Sequence, residues 1–149
     1  MDAKLKRRAE LDRQIEARKE DIIDAAILEF IENGIDNSKI ADIAKRAEVG
    51  AATVYRYFET KPKLVVECAV KLWRSEMSSL TPLFRPADFE DLNGFERVRQ
   101  ILYTIGSLYE IRPDMLRLLE QFDNYTVRER IPKELLQKYE AGIIDMRAM

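Results

Sequence analysis

An all-α fold is what this sequence predicts, on three observations. Apolar residues recur at three- and four-residue spacing through most of the chain, the period of a helix with one buried face. Only 5 Gly and 5 Pro punctuate 149 residues, too few for a β-rich fold with many tight turns. No segment carries the strict alternation of a strand. Apolar residues at 46% and charged residues at 35% suit a globular helical protein.

The elements follow in order. Residues 1–18 are densely charged and lack an apolar stripe, so they read as a frayed helix or a mobile arm, with Lys4–Arg8 able to reach a minor groove. Helix one is expected over Arg18–Asn33, with Ile22, Ile23, Ala26, Ile27, Phe30 and Ile31 on its apolar face and Asn33-Gly34 as its stop. Asn37 or Ser38 caps a second helix that turns Ile40, Ile43, Ala44 and Ala47 inward. After a break at Glu48-Val49-Gly50, a short third helix covers Ala51–Phe58. Thr60 caps the fourth, Lys61–Leu80, and Pro62 sits in its first turn, where a missing N–H costs nothing. Its stripe is Leu64, Val65, Cys68, Ala69, Leu72, Trp73 and Met77.

Thr81-Pro82 ends that helix and a turn-rich loop follows. Helix five is expected over Leu92–Tyr109 with Phe95, Val98, Leu102, Ile105 and Leu108 facing in. Pro113 starts helix six, which runs to Arg128, and Pro132 opens helix seven. Helix seven is amphipathic through Leu135, Leu136, Tyr139, Ile143 and Met146, and the chain stops inside it. The domain reading is therefore an arm at 1–18, a helix-turn-helix unit at 19–63, and a helical unit at 64–149 that reads as incomplete.

Composition excludes several functions. With no His, the commonest general base is absent and a zinc site would need carboxylates almost alone. No Gly-rich phosphate loop, nucleophile elbow or metal-ligand cluster is present, so no catalytic residue, metal or cofactor is assigned. A single Cys cannot form an internal disulfide, and Cys68 in the run LVVECAVKLW reads as a small core side chain. No stretch approaches a membrane span and no secretion signal opens the chain, so a cytoplasmic location is expected.

The informative block is NSKIADIAKRAEVGAATVYRYFETKPKLV. Its six basic residues (Lys39, Lys45, Arg46, Arg56, Lys61, Lys63) outnumber Asp42, Glu48 and Glu59, a local +3 in a chain of net charge -2. A positive face on an acidic body suits a site-specific DNA binder. Two short helices joined by a tight turn are a helix-turn-helix pattern. Ile43, Ala47, Val49, Val54 and Phe58 supply a small core to fix their angle. Ala51, Ala52 and Thr53 keep the front of the third helix slim enough for a major groove about 12 Å wide.

Here the sequence resembles the N-terminal domain of the tetracycline-repressor (TetR) family of regulators. That family's run is T-x-x-x-I-A-x-x-A-G-V-S-x-x-T-x-Y-x-Y-F-x-x-K-x-x-L. This chain supplies Ile43, Ala44, Ala47, Val49, Thr53, Tyr55, Tyr57, Phe58, Lys61 and Leu64 in register. Ala25-Ala26, Phe30 and Gly34 of helix one also fall in familial places. The likeness is close from Arg18 to Leu64, and beyond it only the helical layout is similar. Glu48 replaces the usual Gly and Gly50 the usual Ser. If the turn needs a positive φ, Glu48 costs about 1 kcal/mol relative to Gly.

The resemblance implies roles. Ala51, Thr53 and Arg56 would lie nearest base edges, with Ala52 among the DNA-binding residues and Arg56 alone able to grip guanine through two bonds. Tyr55, Tyr57, Lys61, Ser38 and Lys39 would hold phosphates. Lys45 and Arg46 read as a solvated face, and packing of Tyr55 on helix one stands as an equal alternative to contact with DNA. The partners implied are double-stranded DNA with a pseudo-palindromic operator, a small-molecule effector and a second copy of the chain. Helices four to seven would form the effector and dimerisation domain. Trp73, Met77, Tyr103, Leu119 and Phe122 are the candidate pocket, although a packed core explains most large residues there. Glu120 and Asp123 read as surface charges, with a cationic ligand as the alternative. The rival reading is a helical protein-interaction module that does not bind DNA.

Overall fold

A computed structural model describes the backbone of residues 3–80, 89–111, 113–129 and 131–144. Seven helices occur among them: α1 Ala3–Asn33, α2 Ile40–Arg46, α3 Ala51–Phe58, α4 Lys61–Leu80, α5 Gly94–Ile111, α6 Pro113–Arg128 and α7 Lys133–Ile144. The expected Thr81-Pro82 stop and Met146 lie outside the described residues, as do the side chains of Met77, Ile105, Leu108 and Ile143. The described chain divides into two units, residues 1–68 and 69–149, the division falling inside α4.

The first unit is built on α1, which is twice as long as the sequence reading made it. Nothing between Ala3 and Asn33 breaks a helix, since neither Gly nor Pro occurs there. The charges that argued for an arm instead pair along the helix. Arg13 meets Glu10 at 3.0 Å, Gln14 donates to Glu10 at 3.2 Å and Lys19 meets Glu16 at 2.7 Å. Each such pair adds about 0.2–0.5 kcal/mol to a helix of residues with good intrinsic propensity. Toward its carboxyl end α1 buries Ile22, Ile23, Ala25, Ala26 and Phe30. Gly34 then takes φ 78° and its N–H returns to Phe30 O at 2.9 Å, ending the helix.

The core of this unit continues through Ile40, Ile43 and Ala44 of α2, Val54 and Phe58 of α3, and Leu64, Val65, Val66 and Cys68 of α4. Cys68 is buried, its Sγ directed at Ile23 O, as a small core side chain should be. The corner between α3 and α4 is a γ-turn. Glu59 sits at φ 58° and ψ −47°, and Thr60 N donates to Phe58 O at 2.6 Å. Thr60 then accepts from Lys63 N at 3.3 Å, the expected N-cap of α4.

In the second unit α6 is the organising element. Met115, Leu118, Leu119, Phe122, Tyr125 and Thr126 form one buried face. Tyr139 of α7 is buried among polar partners: Trp73 Nε1 donates to its hydroxyl at 2.9 Å and the hydroxyl donates to Asp123 Oδ1 at 2.6 Å. Burial, reinforced by the neighbouring Asp123 carboxylate, pushes the Tyr139 phenol well above its ordinary value. Asp123 is thus tied to a tyrosine.

Helix α5 corrects the sequence reading. Its start is fixed by a capping box that periodicity did not reveal, with Glu96 N donating to Asn93 Oδ1 and Asn93 N to Glu96 Oε2, both at 3.0 Å. Phe95, Val98 and Leu102, expected to face in, are exposed, Phe95 by 78%. A helical apolar stripe says that a face suits burial; it does not supply the surface that buries it.

Candidate nucleic-acid interface

The turn between α2 and α3 is a Schellman motif. Val49 N donates to Ala44 O at 2.9 Å and Glu48 N to Lys45 O at 3.2 Å, which satisfies the last carbonyls of α2. The geometry requires a left-handed residue at position 48, and Glu48 adopts φ 54°. The positive φ expected of the familial Gly is therefore kept, and a glutamate bears it. Relaxing it by Glu48→Gly should raise stability by about 1 kcal/mol. For a unit of this size that is a melting-temperature rise of about 4–8 °C, and no rise would show the turn to be unstrained.

Gly50 is the N-cap of α3, extended at φ −77° and without a side-chain cap. Thr53 N instead donates to Gly50 O at 2.8 Å. A Cβ at Gly50 would meet nothing within 4 Å. The absence of a side chain here leaves the front of α3 open.

Helix α3 is anchored by Val54 and Phe58, both buried, which directs the intervening positions outward. Ala52, Tyr55 and Arg56 are exposed, Tyr55 by 51%, while Ala51, Thr53 and Tyr57 are half-buried. Tyr55 is thus largely in solvent. Arg56 lies over the Tyr57 ring, 4.9 Å from its centroid, and donates to the Tyr57 hydroxyl at 3.2 Å. That contact restrains a long side chain without enclosing it. Lys39, the N-cap residue of α2, is also exposed.

Two predicted phosphate ligands are engaged internally. Ser38 is buried, and its hydroxyl donates to Gly34 O at 2.7 Å and Glu29 O at 3.3 Å. It does not cap α2 and does not face solvent. Lys61 Nζ donates to Ile35 O at 2.5 Å and Ser38 O at 2.7 Å, with Asp36 O at 3.5 Å. Both residues close the loop between α1 and α2. Local sequence could not reveal this, because the acceptors are backbone carbonyls more than twenty residues from Lys61.

Arg46, expected on a solvated face, is exposed and also pairs with α1. Its guanidinium bridges Glu29, at 3.1 Å, and Glu32 of α1. The hydrogen bond from Arg46 holds the Glu32 carboxyl below its ordinary range and raises Arg46 in return. The pair fixes α2 against α1 and so sets the platform from which α3 projects.

The proposed effector residues differ in exposure. Leu119 and Phe122 are buried on α6, Trp73 is half-buried and Tyr103 is 73% exposed. Tyr103 lies on α5 with Phe95, Val98 and Leu102, which are exposed as well.

Residues 22–68 match the family described as bacterial regulatory proteins, tetR family. The chain is similar to the nucleoid occlusion factor SlmA of Vibrio cholerae, 26% identical over 132 residues, which are 85% of this chain and 64% of that protein. It is also similar to the nicotine-responsive transcriptional repressor HdnoR of Paenarthrobacter nicotinovorans, 27% identical over 108 residues, 71% of this chain and 52% of that one. Its fold resembles a TetR family transcription regulator from Marinobacter aquaeolei, with a TM-score of 0.60 at 20% identity, covering 92% of this chain and 68% of that one. The chain thus spans less than two thirds of the length of these two sequence relatives.

Proposed function

From the match of residues 22–68 to the family of bacterial regulatory proteins, tetR family, we propose that the chain is a sequence-specific DNA-binding transcription regulator. It acts as a homodimer on a pseudo-palindromic operator, most simply as a repressor that a small-molecule effector releases. The observation that carries this reading is the outward presentation of α3: Ala52, Tyr55 and Arg56 are exposed while Val54 and Phe58 anchor the helix from behind. A helix held by two residues on one side and bare on the other is built to enter a groove.

Within that reading Arg56 is the base reader. Ala51, Ala52 and Thr53 let the front of α3 approach, and Tyr55, Tyr57 and Lys39 contact phosphates on either side. Ser38 and Lys61 support the interface from within. Release by an effector requires unequal affinity for the DNA-bound and free conformations, because a ligand that binds both equally shifts neither.

The test begins with duplexes selected by the protein from a random pool. Arg56→Ala should lower affinity for the selected duplex at least tenfold and bring it toward that for a scrambled duplex, as loss of a two-bond guanine contact demands. An Arg56→Ala variant with undiminished discrimination would remove Arg56 from base reading. A parent chain that shows no salt-dependent binding to any duplex would leave the protein-interaction reading instead.

A further inference from the structure

The amino-terminal half of α1 does not trail away from the interface. Gln14 and Arg18 of α1 line a surface groove of about 390 Å³ together with Gly50, Thr53, Arg56 and Tyr57, and Leu11 and Ile15 complete its α1 wall. One wall is therefore the face of α3 that is open to DNA. The other is a stretch of α1 that the sequence leaves between a frayed helix and a mobile arm. A duplex that admits α3 brings a strand alongside the second wall.

The charges on α1 are sorted accordingly. Arg7, Leu11, Gln14 and Arg18 are spaced by four, three and four residues, so they share one side of the helix. Asp12, Glu16 and Glu20 fall on the far side. Glu10, at the flank, is bound to Arg13 and Gln14, and Glu16 is bound to Lys19. Among the described residues neither Arg7 nor Arg18 takes part in an ion pair, and both are exposed. No acidic residue lines the groove.

We propose that the amino-terminal half of α1 is a second DNA-contacting element, in which Arg7, Gln14 and Arg18 bind the phosphates of the strand beside the groove that α3 enters. The proposal rests on the DNA-binding reading of α3 and extends it to a separate helix. The occupant is a duplex backbone, because the α1 wall adjoins the recognition helix, its one charged lining residue is Arg18, and Arg7 lies farther along the same side of the helix. Arg7 to Arg18 covers about 16 Å of helix, enough to follow several successive phosphates of one strand. These contacts carry no base information. They set register and add affinity to every sequence alike.

The test uses the full chain with both arginines replaced, Arg7→Ala/Arg18→Ala, against a duplex selected from a random pool and a scrambled one, titrated by fluorescence anisotropy over a range of salt. The expected result is an equal fall in affinity for both duplexes and a salt slope shallower by about 2, one phosphate for each arginine. The melting temperature should stay that of the parent, since both side chains are exposed. Arg7→Lys/Arg18→Lys should recover most of the slope, which a fold defect would not allow. A double alanine variant that binds both duplexes with the parent's affinity and slope overturns the proposal and leaves the α3 reading intact. A parent without salt-dependent DNA binding overturns both.

Discussion

Phe30→Ala should cost the unit of residues 1–68 about 3–5 kcal/mol, the range for removing an aromatic ring from a filled core. Phe30 is fully buried and ends the stripe Ile22, Ala26, Phe30, in which every member is 0% exposed. The rest of that core comes from short helices, α2 of seven residues and α3 of eight, neither long enough to persist in water alone. Both depend on the surface α1 gives them. A domain of this size holds roughly 3–10 kcal/mol in total, so the loss would use up much of it. Urea unfolding followed by circular dichroism should show a large fall in midpoint, and DNA binding should fail as the unit melts. Phe30→Leu keeps most of the volume and should cost less than about 1.5 kcal/mol. A Phe30→Ala midpoint close to the parent's would mean that α2 and α3 are held by something other than this core.

What was legible in the sequence, and what was not, divides by distance along the chain. The end of α2 and the bounds of α3 and α4 rest on local signals: the break at Glu48-Val49-Gly50, the Thr60 cap and Pro62 in the first turn of α4. Structure and reading agree there. The strain at Glu48 was also open to inference, since it follows from one residue type in one turn. By contrast, Ser38 carries a cap residue's chemistry just before a helix, and the same hydroxyl serves the preceding loop equally well. Choosing between those partners needs the tertiary fold. The Arg46 bridge to Glu29 and Glu32 joins residues 17 and 14 positions apart, beyond any helical spacing rule.

Helix faces account for the two largest differences, and for residues 3–18 the structure decides for the helical alternative. Residues 3–18 lack a broad apolar stripe, and a helix without one reads as an arm because nothing in it demands burial. Its i,i+3 and i,i+4 pairs and its attachment to the well-buried stretch after Asp21 sustain it instead. In α5 the error runs the other way. Phe95, Val98 and Leu102 have the spacing of a buried stripe, and among the described residues that stripe is left in solvent. Periodicity reports amphipathic character and leaves the partner unnamed.

Lys61 allows the two accounts of one residue to be separated. As a phosphate ligand, which its place in the familial run implies, its removal lowers the salt slope of DNA binding by about 1 and leaves the fold alone. As a clamp on the loop that precedes α2, its three ammonium hydrogens face the carbonyls of Ile35, Asp36 and Ser38. Lys61→Met keeps the aliphatic stem and removes only the charge and its donors. It should then cost about 2–3 kcal/mol of stability, because two charge-assisted bonds are lost and the carbonyls of Ile35 and Ser38, both buried residues, lose a donor. DNA affinity should fall as well, since Lys39 begins where this loop ends, yet the salt slope should hold at the parent's value when both proteins are compared well below their melting temperatures. A shallower slope with an unchanged melting temperature would return Lys61 to the phosphate backbone. The clamp is the account favoured by the distances, because an ammonium already shared among three carbonyls has no hydrogen left to offer a phosphate unless the loop first lets go.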